Sequence, residues 1–152
     1  MSQIRISDLP TPVPAAGSQV YDNELKLSLA FSKRRRENYD RYLRSSRRNS
    51  KVDYLPIKLD IENVSVCNFR CTMCVVSEWK KGRRADDMSL KDFKRIIDEQ
   101  YGLVEIKLQG IGEPSIQGDT FFEMIRYARS KKIWVRTTTN ASLLHIRQNY
   151  KK

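Results

Sequence analysis

All three cysteines of this 152-residue chain lie within eight residues, in the stretch CNFRCTMC (67–74). Their spacing is C-x3-C-x2-C, which brings Cys67, Cys71 and Cys74 close enough to bind one metal centre. Three thiolates can hold three irons of a [4Fe–4S] cluster, whose usual ligands are cysteines. Without a fourth cysteine, one iron would keep an open coordination position, which is typical of a catalytic metal site. We therefore predict that a substrate or cosubstrate fills this position.

A zinc site is the alternative use of the three thiolates. His145 is the sole histidine in the sequence and would have to complete the site, unless a partner supplies the fourth ligand. Zinc motifs commonly contain two close pairs of ligands, which this sequence lacks. The odd number of cysteines and their short gaps do not fit a secreted disulfide framework, and clustered thiols in a reducing compartment more often bind metal or do chemistry.

Three segments of alternating apolar residues predict strands, within residues 55–66, 104–109 and 133–140. Two segments with helical periodicity separate them, one opened by the capping box Ser89–Asp92 and one capped by Asp119. Such alternation is typical of a parallel sheet with right-handed crossovers. In these sheets functional groups gather at the carboxyl ends of the strands. The segments CNFRCTMC, GIGEP (110–114) and TTTN (137–140) each follow a strand, so we expect them to meet at one rim.

The remaining segments predict three regions and a final helix. We predict a flexible arm over the proline-rich residues 1–20 and a core domain over residues 55–152. Between them, residues 21–50 form a basic region. It contains a helix over residues 22–48 that is capped by Asp22. A third helix is predicted to begin near residue 142. Glu62 and Asn63 follow the first strand, and either point into the fold or mark an irregular strand exit.

The net charge of +11 comes from 29 Lys and Arg against 18 Asp and Glu. Much of the excess lies in residues 33–48 and 80–84. We interpret these as a solvated helix face and a mobile loop, with attraction to nucleic acid, an acidic membrane surface or an anionic substrate as the alternatives.

No apolar run approaches the roughly 20 residues that span a bilayer, and the N-terminus has no signal-peptide core, so we expect a cytoplasmic protein without a membrane partner.

The three rim segments together resemble the radical S-adenosylmethionine (SAM) superfamily. The cysteine motif resembles its signature C-x3-C-x-Φ-C, with Met73 as the hydrophobic Φ. GIGEP resembles the family's GGE element after its second strand, with Ile111 in place of the first glycine. TTTN resembles the segment after its third strand. The resemblance covers about residues 55–145.

The resemblance implies a role for each of these segments. Cys67, Cys71 and Cys74 would ligate three irons, and the amino and carboxylate groups of SAM would chelate the fourth. Glu113 would receive the methionine amino group. The other implied cofactor-binding residues flank the cluster, let the backbone approach SAM or lie near its methionyl or ribose portion: Phe69, Met73, Gly110, Gly112, Thr137, Thr139 and Asn140.

The resemblance also implies that the protein is an enzyme with the chemistry of this family. The reduced cluster passes an electron to SAM, and the resulting 5′-deoxyadenosyl radical abstracts hydrogen from a substrate. A flavodoxin or ferredoxin would be the reductant. The sequence leaves the substrate open among a peptide, a sugar-type metabolite and RNA. The second hypothesis is a non-enzymatic, zinc-stabilised basic module that binds nucleic acid.

The family core is a partial barrel of six strand–helix units, whereas this sequence predicts about three. A half-barrel would expose the edge of its third strand. We therefore predict a truncated reading frame, a fragment or one part of a split protein, and we expect the isolated 152-residue chain to be inactive.

Overall fold

A three-stranded parallel sheet forms the centre of the molecule, in the order β1–β2–β3. The computed structural model describes residues 15–46, 50–78 and 85–152, with the backbone alone at residues 15–18. The strands are β1 (Lys58–Ile61), β2 (Glu105–Leu108) and β3 (Trp134–Arg136). Ile106 in β2 is paired with Leu59 on one side and Val135 on the other. The predicted α/β fold with parallel strands is confirmed.

Two helices cover one face of this sheet, α3 (Leu90–Glu99) and α4 (Asp119–Ser130). Their apolar stripes meet alternate residues of the strands, which gives one continuous core. The fully buried side chains of this core include Phe93, Leu103, Ile106, Leu108, Met124 and Ile133. Because the core pins α3 and α4 against the sheet, the carboxyl ends of the strands are held in fixed positions.

The N-terminal ends of α3 and α4 can be compared with the predicted capping residues. Ser89 Oγ accepts the Asp92 N–H at 3.0 Å, so Ser89 is confirmed as the N-cap of α3, and it also donates to Asp92 Oδ2 at 2.7 Å. The predicted Asp119 cap is wrong, because Gly118 occupies the cap position with φ of 60° and Asp119 is already in the helix. The predicted helix after residue 142 is also wrong. Residues Ile146–Lys151 form 3-10 turns interrupted by left-handed backbone at Arg147 and Gln148.

The basic N-terminal region forms two helices rather than the single predicted one. They are α1 (Ala15–Phe31) and α2 (Lys33–Arg44). Ser32 separates them in an extended conformation, and its side chain accepts the Arg35 N–H at 3.4 Å as the N-cap of α2. Serine favours this role because its hydroxyl competes with helical backbone hydrogen bonds. The predicted Asp22 cap is wrong since α1 begins earlier, and residues 1–14 and 47–49 lie outside the described residues.

Arg35 anchors this helix pair to the core through carbonyl groups. Its guanidinium donates to the Lys131 carbonyl at 2.8 Å, the Tyr101 carbonyl at 3.1 Å and Ser28 Oγ at 3.0 Å. Tyr101 and Lys131 follow α3 and α4, where the helix dipoles favour a cation. Burial, and secondarily the neighbouring Arg34, lowers the pKa of Arg35 to about 10. One arginine of the basic run therefore stabilises the fold.

The opposite face of the sheet is polar. The carboxylate of buried Glu105 forms salt bridges with the Lys58 ammonium group at 3.0 Å and the Arg136 guanidinium at 3.2 Å. These bridges join the three strands. A cavity of about 810 Å³ lies beside this group, at the amino ends of the strands and away from the cysteines. In the described parts of the chain, no helix is both long and apolar enough to cross a membrane.

Replacing Asn38 by alanine is expected to destabilise the protein by about 2 kcal/mol. Asn38 is fully buried, and its side chain accepts the Leu55 N–H at 2.8 Å and donates to the Leu55 carbonyl at 3.0 Å. The substitution leaves both backbone groups without this partner, at about 1 kcal/mol or more each. Urea unfolding measures the loss. Lys33→Ala, at an exposed site of the same helix, is the control and should change stability by less than about 0.5 kcal/mol. Equal midpoints for the two variants would contradict the expectation.

Candidate metal centre

The cysteine loop follows β1 and carries three free thiols. Cys71 is exposed, whereas Cys67 and Cys74 are half-buried. The Cys74 N–H donates to the Cys71 carbonyl at 2.9 Å, so a tight turn joins these two residues. The Phe69 N–H points at Cys67 Sγ at 3.4 Å. An N–H donor of this kind can orient a sulfur that ligates a metal.

The loop fits an iron–sulfur cluster by its donor set, although the thiols are not already gathered around one point. Among the described residues, no three His, Cys, Asp or Glu side chains form a ready metal site. That finding applies equally to a zinc site completed by His145. Three unpaired thiols on one exposed loop, one of them accepting an N–H, suit cysteine ligation of a cluster at the surface of the rim.

Hydrogen bonds bring the three predicted rim segments together. The Glu113 N–H donates to the Val66 carbonyl at 2.8 Å, which attaches the GIGEP turn to the strand exit leading into the cysteines. Thr139 Oγ1 donates to Glu113 Oε1 at 2.6 Å and the Asn140 N–H donates to Glu113 Oε2 at 2.7 Å. Asn140 also bonds to Asn68 in the cysteine loop at 3.0 Å. The predicted meeting of CNFRCTMC, GIGEP and TTTN is confirmed.

Glu113 is the buried centre of this contact, with 2% of its surface exposed. In addition to the bonds from Thr139 and Asn140, the Glu113 carboxylate accepts hydrogen bonds from the Ser115 N–H at 3.1 Å and from Ser115 Oγ–H at 2.5 Å. Burial alone would raise the pKa of Glu113, but the hydrogen bonds from Ser115, Thr139 and Asn140 outweigh it and the pKa is lowered. The carboxylate is therefore ionised and holds two loops together. Its contact with the amino group of SAM stays a prediction.

Gly112 allows a close approach to backbone atoms that a side chain would block, and Gly110 lies against the side chain of Glu62. A Cβ on Gly112 would lie 2.6 Å from the Val66 carbonyl oxygen and 2.7 Å from that of Val64. A Cβ on Gly110 would lie 2.1 Å from the side chain of Glu62. The resemblance implied that both glycines belong to the cofactor-binding site and that Gly112 lets the backbone come close to SAM. In the structure they also let the turn pack against the exit of β1.

Glu62 and Asn63 support the GIGEP turn, a role that the sequence alone left open. Glu62 Oε1 accepts the Ile111 N–H at 2.7 Å. Asn63 is buried and donates to the Pro114 carbonyl at 3.2 Å and Gln117 Oε1 at 2.9 Å. The irregular end of the first strand was the available signal, since polar residues at a strand exit often serve a neighbouring loop. Their partners, however, lie about 50 residues further along the chain.

Glu62→Ala is expected to loosen the GIGEP turn. The Ile111 amide would lose its carboxylate acceptor, and its hydrogen exchange should accelerate by roughly tenfold, the factor for about 1.4 kcal/mol. Glu62→Gln keeps an acceptor oxygen and should give a smaller change. Exchange of the Ile111 amide, followed by NMR, measures both. An unchanged rate in the alanine variant would show that the carboxylate does not hold the turn.

The other predicted contacts divide into two groups. Phe69 and Met73 are exposed at 42% and 95% of their surface, so both are available to a ligand above the loop. Thr137 faces elsewhere, because its hydroxyl donates to the Leu108 carbonyl of β2 at 2.8 Å. Thr139 and Asn140 are therefore the members of TTTN that the structure joins to Glu113. The basic residues 80–84 lie outside the described residues.

Comparison with known families identifies the class. The sequence model of the radical SAM superfamily matches residues 64–152, which is more than half of the chain. The chain therefore belongs to the radical SAM superfamily. The matched range begins just before the cysteine motif and includes the GIGEP and TTTN segments. The resemblance predicted from these three segments is confirmed.

Two curated relatives match over 89 residues each. The tungsten-containing aldehyde ferredoxin oxidoreductase cofactor-modifying protein of Pyrococcus furiosus is 33% identical, over 57% of this chain and 24% of its own length. The mycofactocin maturase MftC of Mycolicibacterium smegmatis is 36% identical, over 56% of this chain and 21% of its own length. The chain thus spans between a fifth and a quarter of the length of these relatives.

Two solved structures share the fold. Streptococcus suis SuiB bound to S-adenosylmethionine aligns with a TM-score of 0.50 and 24% identity, over 60% of this chain and 21% of that chain. SuiB bound to the precursor peptide SuiA aligns with a TM-score of 0.50 and 26% identity, over 60% and 20%. These likenesses agree with the prediction of a partial radical SAM barrel.

Proposed function

We propose that this chain supplies the cluster- and SAM-binding rim of a radical SAM enzyme. Cys67, Cys71 and Cys74 hold three irons of a [4Fe–4S] cluster, and SAM binds at the fourth. The observation that supports this most directly is the hydrogen-bonded meeting of the cysteine loop with Glu113 and Asn140 at one end of a parallel sheet. Membership of the superfamily gives this rim its expected cofactors.

The chain's own residues bind and orient, while the cofactors perform the radical step. When bound, the cluster and SAM supply one-electron chemistry that removes hydrogen from a substrate. The exposed side chains of Met73 in the cysteine loop and Ile111 in the GIGEP turn offer apolar surface to a nucleoside. Gly110 and Gly112 keep the turn close to the strand exit, and Glu113 holds the turn to Thr139 and Asn140. The rim therefore presents backbone and apolar groups to SAM from fixed positions.

A peptide is the substrate class that we propose. One structural relative was solved with its precursor peptide, and one curated relative is a maturase by name. RNA is less well supported, because two arginines of the basic run already contact other residues of the chain. Arg35 is buried on carbonyl groups, and the guanidinium of Arg34 lies 4.4 Å from the centre of the Tyr101 ring. The reductant that we propose is a flavodoxin or ferredoxin.

Anaerobic reconstitution with iron and sulfide tests the proposal. We expect about four irons per chain and broad visible absorption. Cys71→Ala should lose both, whereas Thr72→Ala, in the same exposed loop, should retain them. One zinc per chain, with no iron bound after reconstitution, would overturn the proposal in favour of the zinc-stabilised module.

A further inference from the structure

Asn140 contacts both of the other rim segments at once. Its backbone N–H donates to Glu113 Oε2 at 2.7 Å. Its side-chain amide donates from Nδ2 to Asn68 Oδ1 at 3.0 Å, and the same nitrogen lies 3.9 Å from Cys67 Sγ in hydrogen-bonding geometry. The Asn140 side chain therefore brings an N–H donor to the first cysteine of the motif.

The neighbours of Asn140 fix the orientation of this amide. Asn140 Oδ1 accepts the Ser142 N–H at 3.0 Å and Ser142 Oγ–H at 2.7 Å. Ser142 Oγ in turn accepts Asn68 Nδ2 at 2.8 Å, which closes a ring of three side chains. Rotating the amide by 180° would place Nδ2 against the Ser142 N–H and Oδ1 against Asn68 Oδ1, so both contacts would become repulsive. The donor is thus held toward Asn68 and Cys67.

The backbone at this point is strained in the way functional loops often are. Ala141 has φ of 61°, a left-handed conformation that is unfavourable for a non-glycine residue. Bonds on both sides hold it there, because the Ala141 N–H donates to Thr139 Oγ1 at 3.0 Å and the Ser142 N–H donates to Asn140 Oδ1. The fold therefore maintains an unfavourable turn that aims the Asn140 side chain at the cysteine loop.

We infer that Asn140 is a positioning residue that raises the reduction potential of the cluster through an N–H···S hydrogen bond to Cys67. This inference rests on the proposed function. Hydrogen bonds to ligand sulfurs are among the factors that set the potential of an iron–sulfur cluster. The bond stabilises negative charge on the sulfur, and the reduced cluster carries one more negative charge than the oxidised one. Loss of the donor therefore lowers the midpoint potential.

A redox titration followed by EPR tests the inference on the reconstituted chain. Asn140→Ala removes the donor, and Asn140→Asp removes it and adds a negative charge. Both midpoints should fall below that of the unmodified protein, with the larger fall for aspartate. Thr137→Val is the matched control, because Thr137 lies in the same segment but bonds to Leu108, and its midpoint should not change. A purely structural role would reduce iron content or stability and leave the midpoint of the remaining cluster unchanged.

The possible outcomes distinguish a failure of this inference from a failure of the proposed function. If the unmodified chain binds no cluster, the proposed function fails and the inference with it. If the cluster forms and the Asn140 variants titrate like Thr137→Val, the inference alone is wrong. If the Asn140 variants lose their iron, Ser142→Ala decides the question, since it removes the hydroxyl that bonds to both Asn140 Oδ1 and Asn68 Nδ2 and keeps the Asn140 donor. A lowered midpoint in Ser142→Ala supports the inference, and an unchanged midpoint overturns it.

Discussion

Gly112→Ala is expected to destabilise the protein by about 3 kcal/mol and to displace the GIGEP turn from the strand exit. The new Cβ would lie 2.6 Å from the Val66 carbonyl oxygen and 3.0 Å from the Val66 nitrogen, and backbone atoms at both points leave it no room. Overpacking of this kind typically costs about 1–3 kcal/mol, and here it also breaks the hydrogen bond between the Glu113 N–H and the Val66 carbonyl. Thermal unfolding measures the effect, as a fall of roughly 6–12 °C.

Ile111→Ala provides the control for Gly112→Ala. Ile111 is adjacent in the turn, but 41% of its surface is exposed, so its truncation removes little buried area. It should change stability by less than about 1 kcal/mol. If the two variants unfold at the same temperature, the close packing of Gly112 against the strand exit is not what holds the turn.

Glu113→Gln is expected to cost about 2–3 kcal/mol, although the substitution preserves the shape of the side chain. One carboxylate oxygen becomes an NH2 group and must face a donor. If it replaces Oε2 it meets the Asn140 N–H, and if it replaces Oε1 it meets Ser115 and Thr139. A buried donor that loses its charged acceptor costs about 1–3 kcal/mol. Ser115→Ala removes a single hydroxyl and should cost about 1 kcal/mol, and equal losses in the two variants would contradict this account.

The pH dependence of stability offers a second check on Glu113. Its pKa is lowered in the folded state, so its contribution is fully present above the unfolded-state pKa of about 4.3. The contribution is lost as the pH falls through the lower, folded-state pKa. The stability difference between the unmodified protein and Glu113→Gln should therefore shrink below about pH 4. A difference that is constant with pH would show that the carboxylate charge is not involved.

The sheet and the meeting of the rim segments were predictable because both follow from short-range patterns. Alternation at Ile106 and Leu108 predicts a strand, and the order of strands and helices places the segments after them at one edge. The three cysteines and the GIGEP turn then identify the chemistry by type and spacing. Each of these inferences needs only neighbouring residues and the general geometry of parallel sheets.

The supporting residues were not predictable, because their partners are distant in the sequence. Glu62 bonds to Ile111, Asn38 to Leu55, and Arg35 to carbonyls after α3 and α4. In the sequence Arg35 is one of four consecutive basic residues, and nothing distinguishes it from its exposed neighbours. The break at Ser32 is similar, since the helical pattern continues through it and the change of direction depends on packing against the core.

The basic N-terminal region therefore has a clearer role than its charge suggested. The Arg129 guanidinium bonds to Glu24 at 2.5 Å, and Tyr21 and Trp134 pack with their ring centres 5.5 Å apart. With Arg35, these contacts attach α1 and α2 to the end of the sheet opposite the cysteines. Much of this region's chemistry is thus used to hold the helix pair against the core.

Binding of SAM at the cluster is tested by the EPR spectrum of the reduced, reconstituted chain, recorded before and after the addition of SAM. We expect a reduced [4Fe–4S] signal that changes when SAM is added, because SAM binds at the iron that the three cysteines leave open. A cluster signal that SAM leaves unchanged, or the absence of any cluster, would contradict this expectation.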